Sequence, residues 1–201
     1  MFSGIVETFS SVTEVQPGPG LLTIRIKKPS DFNDLKTGDS IAVDGICLTL
    51  EGFDEQQMSF SLAPETLRVT GWTSGGVKNR IVNLERSLRL NDRIHGHLVT
   101  GHVDATTTVL RADWEGESLK LTIAIPPELR QLIWSKGSVA VNGVSLTINQ
   151  VSYDEFTVGL IPETLRRTNL NSLKAGDRVN LEADNMARGL LHFSRTQEGN
   201  P

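Results

Sequence analysis

The chain has 201 residues, of which 38% are hydrophobic and 22% charged, and its formal net charge is −4. These values are ordinary for a globular protein, and the lack of a basic excess argues against a nucleic-acid partner. The single cysteine, Cys47, excludes an intrachain disulfide and favours a reducing compartment. No signal-peptide pattern opens the chain, and no apolar run approaches the roughly 18 residues that span a bilayer. We therefore expect a cytoplasmic protein without membrane contact.

Short runs rich in β-branched residues predict a mainly β fold in each half of the chain. In the first half they are separated by Gly, Pro, Asp and Asn clusters and cover residues 2–8, 21–27, 40–44, 47–51, 58–62 and 81–85. Asp44-Gly45 and Asn142-Gly143 lie between paired apolar runs, which is a hairpin signal. Two short helices are predicted at 30–35 and 127–134. Six strands in about 95 residues favour a closed Greek-key barrel, since closure removes exposed strand edges.

The two halves of the chain repeat each other. SIAVDGICLTL at 40–50 matches SVAVNGVSLTI at 138–148, and the segments that begin PETLR at 64 and 162 share the same offset of 98 residues. Val-Asn-Leu-Glu recurs at 82–85 and 179–182 with an offset of 97. Colinear matches of this kind indicate a tandem duplication. The predicted fold is all-β, with two tandem six-stranded Greek-key barrels at residues 1–96 and 97–184.

The tail departs from the repeat. Residues 184–195 read DNMARGLLHFSR and predict a helix, with Met186, Leu190 and Leu191 at spacings compatible with one face. Residues 185–201 are therefore assigned to a C-terminal α-helix and tail. The apolar face of this helix needs a partner, which is either its own barrel or other copies of the chain, and the sequence leaves both open.

Several motifs together resemble riboflavin synthase. They are MFSGIVE at the start, DGICLTL and NGVSLTI, the two PETLR segments and the central GHLVTGHVD, in order from residue 1 to about 190. The resemblance implies two barrels that each bind 6,7-dimethyl-8-ribityllumazine, and a helix that assembles a homotrimer. It implies a dismutation in which one lumazine gives a four-carbon unit to another, producing riboflavin and 5-amino-6-ribitylamino-pyrimidinedione. It also implies that no cofactor or metal is required.

Polar residues shared by the two halves are candidates for substrate binding. Matched hydroxyls occur at three pairs of positions, Ser40 and Ser138, Thr49 and Thr147, and Thr66 and Thr164, and hydroxyls can bond a heterocycle with several donors and acceptors. The alternative is that threonine is simply a good strand former. Together with positions that the resemblance adds, the predicted substrate-binding residues are Ser40, Thr49, Ala63, Thr66, His97, Lys136, Thr147, Ile161 and Thr164.

Positions at which the halves differ are candidates for catalysis. Ile5 is replaced by His102, Cys47 by Ser145, and Ser87 by Asp184. His102 is suited to moving protons near neutral pH, Asp184 to orienting it, and Ser145 to holding a ligand or a reacting water. Cys47 is assigned to ligand contact or catalysis, because the family uses this position. Two simpler interpretations stay open: Cys47 as a small buried hydrophobe, and Asp184 as the N-cap of the terminal helix.

The sequence also bears on three other functions: a metal site, an oligonucleotide-binding barrel and a non-catalytic ligand-binding protein. His95, His97 and His102 form H-x-H-x₄-H, but no cysteine or carboxylate follows at a matching metal-ligand spacing. An oligonucleotide-binding barrel needs a basic groove and stacking aromatics, and only 5% of the residues are aromatic. A non-catalytic lumazine- or flavin-binding antenna protein is the main rival, and we expect such a protein to lose the second half's site residues. The chain departs from the family pattern at His95, at Gly189, and at Asn142, where aspartate is common.

Overall fold

The computed structural model describes residues 1–197, and its first half is a barrel-like sheet. Within the described residues this half contains seven strands and two short helices: β1 (Thr8–Gly18), β2 (Leu21–Lys27), β3 (Ser40–Val43), β4 (Ile46–Thr49), β5 (Gly52–Phe53), β6 (Gln57–Leu62), α1 (Pro64–Thr70), α2 (Ser74–Val77) and β7 (Ile81–Arg86). The strand order is β4-β3-β7-β1-β2-β6-β5. The two ends of this sheet, β4 and β5, are successive pieces of one stretch of chain, so the sheet curls back on itself.

The second half repeats this architecture as a closed six-stranded barrel of order β10-β11-β12-β9-β8-β13. Its elements are β8 (Ala105–Glu115), β9 (Ser118–Ala124), β10 (Ser138–Val141), β11 (Val144–Val151), β12 (Glu155–Leu160), α3 (Pro162–Arg167) and β13 (Arg178–Ala183), followed by α4 (Asn185–Gln197). The single strand β11 corresponds to β4 and β5 of the first half. The predicted all-β fold with duplicated barrels and a C-terminal helix is confirmed.

Two helix predictions were wrong in detail. Residues 30–35 form turns rather than a helix, and only Pro127–Leu132 of the second candidate is helical, as a 3₁₀ helix. The sequence analysis also missed that both PETL segments begin helices, α1 and α3, which have proline in their first turn. Proline suits that position because the first helical N–H groups have no partner within the helix.

Each barrel has its own apolar core, and the halves exchange one valine. Val6 from the first half lies in the core of the second barrel, and its repeat equivalent Val103 packs against the core of the first. A smaller cluster between the barrels contains Phe2 and Val99, whose backbones pair across the interface. Because β7 ends at Arg86 and β8 begins at Ala105, the predicted boundary at 96/97 falls inside the connection between the barrels.

The terminal helix divides its apolar residues between two directions. Ala187 and Leu191 pack against the core of the second barrel, whereas Met186, Leu190 and Phe193 are exposed. The helix therefore packs on its own barrel with one side and leaves an apolar side available to other copies of the chain, so both partners that the sequence left open are compatible with it. Residues 198–201 of the predicted tail lie outside the described residues. No helix among the described residues is long and apolar enough to cross a membrane.

Candidate active site

The matched hydroxyl residues lie on the two equivalent hairpins. Ser40 on β3 is the direct cross-strand partner of Thr49 on β4, and Ser138 pairs with Thr147 in the same way. Neighbouring residues of a strand point to opposite faces. Cys47 therefore shares the face of Thr49, while the residues between and before them are buried in the core. The same alternation places Ser145 beside Thr147 and turns both away from the interior of the second barrel.

Each of these hairpins is bound by a loop from the other half of the chain. The backbone N–H of Cys47 donates to the carbonyl of Gly101 at 2.8 Å, and that of Ser145 donates to the carbonyl of Gly4 at 2.8 Å. A Cβ at Gly4 would lie 2.6 Å from that of Ser145, and one at Gly101 would lie 2.5 Å from that of Cys47. Glycine is required at both loops, since they also have positive φ. Both candidate sites are thus built from both halves of the chain.

Two buried glutamates hold these loops in place. Glu85 on β7 accepts hydrogen bonds from the backbone N–H groups of Ser3 and Gly4, and Glu182 on β13 accepts from those of Thr100 and Gly101. Burial raises the pKa of Glu85 to about 6, against the effect of these hydrogen bonds, and raises the pKa of Glu182 for the same reason. Neither glutamate was predicted from the sequence as a site residue, although both end the repeated Val-Asn-Leu-Glu motif.

We expect Glu85→Gln to lower the free energy of unfolding, by an amount that becomes smaller as the pH rises. A glutamine amide turns a donor toward one of the loop N–H groups, which costs about 1–3 kcal/mol. The unmodified chain loses about 2 kcal/mol of folding stability as Glu85 ionises, since its folded pKa of about 6 lies above the ordinary glutamate value of 4.5. This loss occurs as the pH rises from about 4.5 to 6. The variant has no carboxyl group at this position and does not lose this stability. The difference in stability between the variant and the unmodified chain therefore shrinks by about 2 kcal/mol as the pH rises.

Urea unfolding at pH 4.5 and pH 7.5 measures this deficit. Glu117→Gln, an identical change in the exposed turn between β8 and β9, is the control and should unfold like the unmodified chain at both pH values. A Glu85→Gln deficit that is the same at both pH values would show that Glu85 ionises as an ordinary glutamate.

His97 is the histidine that contacts Ser145. Its Nδ1 lies 2.7 Å from Ser145 Oγ, and its Nε2 is buried without a hydrogen-bond partner among the described residues. Burial lowers the pKa of His97, while the Asp184 carboxylate acts in the opposite direction. His102 is exposed and follows Gly101, the residue bound to Cys47. The structure thus brings Ser145 together with His97, and places His102 next to the residue that binds the Cys47 strand.

Asp184 is the N-terminal cap of α4. Its Oδ1 accepts from the backbone N–H of Met186 at 2.9 Å, and its carbonyl accepts from that of Arg188. The capping interpretation is therefore confirmed. The carboxylate is half-buried, at the junction between the second barrel and the helix.

The other predicted binding residues lie around the two hairpins. Ala63 and Ile161 immediately precede α1 and α3, and both side chains are exposed. Thr66 and Thr164 lie in the first turns of these helices and are half-buried. Lys136 has φ +68°, a conformation that is costly for a residue with a side chain, and the repeat has glycine at the equivalent position 38.

A large cleft opens at the mouth of the first barrel, next to the first hairpin. Its volume is about 990 Å³, and it is lined by residues from the start of the chain, the 31–40 segment and the connection after β7, among them Ile5, Ser40, Glu85, Ser87 and His95. Ser40 is the predicted binding residue that lines it. The volume is at the upper end of the range typical of small-molecule sites.

A family model described as the lumazine binding domain matches residues 3–87 and again residues 100–184. Over 206 aligned residues the chain is 38% identical to a riboflavin synthase of Brucella abortus (strain 2308), with 98% of this chain and 100% of the relative covered. The chain belongs to the riboflavin synthase family. Another family member, from Chlamydia pneumoniae, is 40% identical over 185 residues, with 92% of this chain and 90% of that relative covered. The riboflavin synthase of Escherichia coli (strain K12) is 35% identical, with coverage of 95% and 90%.

Solved structures with the same architecture hold flavin and lumazine ligands. LumP complexed with riboflavin superposes with a TM-score of 0.85 at 26% identity, covering 92% of this chain and 100% of that one. LumP complexed with 6,7-dimethyl-8-(1'-D-ribityl) lumazine gives a TM-score of 0.81 at 25% identity, with coverage of 91% and 99%. The two-barrel fold of the riboflavin synthase family is therefore shared with proteins crystallised with either molecule.

Proposed function

We propose that the chain is a riboflavin synthase that converts two molecules of 6,7-dimethyl-8-ribityllumazine into riboflavin and 5-amino-6-ribitylamino-pyrimidinedione. The observation that carries this proposal is the match of both lumazine-binding repeats, over nearly the whole chain, to riboflavin synthases at 35–40% identity. The identity to LumP is lower, at 25–27%. The synthase is therefore favoured over the antenna protein.

The duplicated site supports the use of two lumazines. In this proposal, one ligand lies against each hairpin and is bound by the substrate-binding residues predicted from the sequence. The chemistry requires that a proton leaves the C7 methyl group of one lumazine and that a nucleophile adds to the other before the rings join. We assign proton transfer to His102, the orientation of that histidine to Asp184, ligand or water binding to Ser145, and ligand contact or catalysis to Cys47. The strained backbone of Lys136 supports a binding role for its side chain.

A homotrimer is the proposed assembly. Two lumazines must stack with their reacting carbons about 3–3.5 Å apart, so the two ligands need to face each other. The family places one barrel's ligand against the other kind of barrel of a neighbouring subunit. The exposed face of Met186, Leu190 and Phe193 supplies apolar surface for such an assembly. We also propose a cytoplasmic location, to which the free thiol of Cys47 is suited.

Incubating the purified chain with 6,7-dimethyl-8-ribityllumazine tests the function. We expect riboflavin to appear together with an equal amount of the pyrimidinedione, at a rate that EDTA does not change. The described residues contain no cluster of three or more His, Cys, Asp or Glu placed to hold a metal ion. Ligand binding without product would assign the chain to the antenna class, and a loss of activity that zinc restores would revive the His95–His97 metal hypothesis.

Two ligands should bind each chain, with unequal affinities. The number follows from the matched Ser–Thr pairs of the two hairpins. The inequality follows because Cys47 has no imidazole hydrogen bond among the described residues, whereas Ser145 has that of His97. Isothermal calorimetry with riboflavin measures both quantities. A stoichiometry of one ligand per chain would contradict the prediction.

A further inference from the structure

The tips of the two equivalent hairpins meet between the barrels. A Cβ on Gly45 would lie 2.7 Å from the backbone nitrogen of Gly143, and one on Gly143 would lie 2.8 Å from that of Gly45. The preceding residues, Asp44 and Asn142, are both buried and have nearly equal positive φ values of 47° and 46°. The two repeats thus contact each other through the same turn, across an approximate twofold axis.

Hydrogen bonds tie each tip to both barrels. Asp44 accepts at its carboxylate from the backbone N–H of Asn83, at 2.8 Å, and Asn142 accepts at its side chain from that of Asn180, also at 2.8 Å. The side-chain amides of Asn83 and Asn180 then donate across the interface, to the backbone carbonyls of Asn142 and Asp44 respectively, each at 2.9 Å. A movement of one barrel relative to the other would break these hydrogen bonds. The groups that form them are buried, and leaving them unpaired would lower the stability of the fold.

Two residues break the symmetry of this cluster, and both lie beside the first tip. Arg80 Nε donates to Asp44 at 3.1 Å, whereas the residue equivalent to Arg80 at the offset of 97 is Asp177. Asn169 Nδ2 donates to Asp44 at 2.8 Å, and its equivalent at the offset of 98 is Gly71. The carboxylate therefore occupies the tip that has a cation and an extra donor. The neutral amide of Asn142 occupies the other tip, where the part of the chain that the structure describes supplies neither.

The side chain of Asn169 leaves no place for a second carboxylate. Its amide nitrogen is used by Asp44 and by the carbonyl of Ile81, at 3.0 Å, so its oxygen faces the amide of Asn142 at 3.4 Å. An aspartate at position 142 would turn its charge toward this oxygen and toward Asp44. A buried charge without a partner is strongly destabilising.

We propose that Asp44, Asn142 and Asn169 form an inter-barrel key that positions the two ligand sites relative to each other. Cys47 and Ser145 lie three residues after Asp44 and Asn142, and their backbone N–H groups bind loops of the opposite half. Asp44 and Cys47 belong to one short hairpin, and Asn142 and Ser145 belong to the other. A shift at the tips is therefore transmitted to the hydrogen bonds of Cys47 and Ser145 with the opposite half. The three residues are thus positioning residues for the proposed synthase reaction, and this last step rests on the proposed function.

Asn142→Asp in the full chain tests the key, with Asn149→Asp as the matched control. Asn149 is exposed on β11, the strand that follows the second tip. We expect Asn142→Asp to lower the thermal midpoint by roughly 10 °C relative to the control. At 20 °C, where circular dichroism shows the variant folded, the amide protons of both Cys47 and Ser145 should exchange at least about tenfold faster. Turnover per folded molecule should fall at least about tenfold. Normal exchange at both amides would overturn the key.

Two further variants separate the effect of where the carboxylate lies from the effect of the net charge of the chain. The exchanged pair Asp44→Asn with Asn142→Asp keeps the net charge but moves the carboxylate away from Arg80, so we expect faster exchange at both amides again. Exchange like that of the unmodified chain in this pair would overturn the proposal. Should Asn142→Asp not fold, Asn169→Ala carries the same test without adding a charge. Amide exchange does not depend on activity, so faster exchange in a chain that makes no riboflavin rejects the proposed function and keeps the key.

Discussion

His102→Ala is expected to lower the turnover of lumazine by about 100-fold or more, because it removes the group that we assign to proton transfer. The imidazole of His102 is exposed and has no hydrogen-bond partner within residues 1–197, whereas its backbone N–H donates to Thr100 Oγ1 at 3.3 Å. The substitution therefore leaves the buried contacts of the loop intact. The thermal midpoint should stay within about 2 °C of that of the unmodified chain.

Steady-state turnover and thermal unfolding, measured on the same preparations, check this result. His192→Ala is the control, since it removes another exposed imidazole, on α4. We expect its turnover to be nearly normal. If His102→Ala also turns over normally, His102 has no part in the reaction, and His97, which contacts Ser145, becomes the candidate for proton transfer.

Leu190→Glu is expected to prevent the proposed trimer from forming, leaving monomers of 22.0 kDa, and to abolish most of the turnover. Leu190 is 69% exposed in the single chain, next to Met186 and Phe193 on the same face of α4. A new carboxylate there costs the monomer little, but in a trimer three copies would meet near one axis and repel one another. Activity falls because each proposed reaction site combines barrels of two subunits.

Light scattering measures the loss of assembly and a turnover assay measures the loss of activity. Thermal unfolding checks that the variant stays folded. His192→Glu places the same charge on another exposed side of the helix and should leave assembly and activity unchanged. Leu191 is a poor control, because it packs against the second barrel and its loss would destabilise the monomer itself. A monomeric Leu190→Glu chain with full activity would show that each active site is completed within one chain.

The repeat explains why the fold was predictable. Residues that match at a constant offset must occupy equivalent places, so one hairpin signal at Asp44-Gly45 implied a second at Asn142-Gly143. The helices were predicted less well. Residues 30–35 form turns instead, and α1 and α3 were overlooked, because a helix of one or two turns depends on packing more than on its own sequence.

The candidate site was predictable as a set of residues but not as a set of contacts. The comparison of repeats selected His102, Ser145 and Asp184 by their differences, and it grouped them together. The structure instead places His97 against Ser145 and His102 beside the Cys47 strand, because loops of each half cross to the other barrel. Glu85 and Glu182, which hold those loops, are identical in both repeats, so a search for differences passes over them.

The sequence by itself determined the duplicated barrels, the terminal helix and the family, because periodicity and repetition are properties of the chain. Only the tertiary structure decided which half completes which site, since residues 86, 125 and 136 positions apart along the chain meet at the hairpin tips. Asn142 illustrates the difference. In the sequence it is a departure from the common aspartate. In the fold it lies at the tip that has no cation among the described residues, so a second buried carboxylate there would have no positive charge beside it.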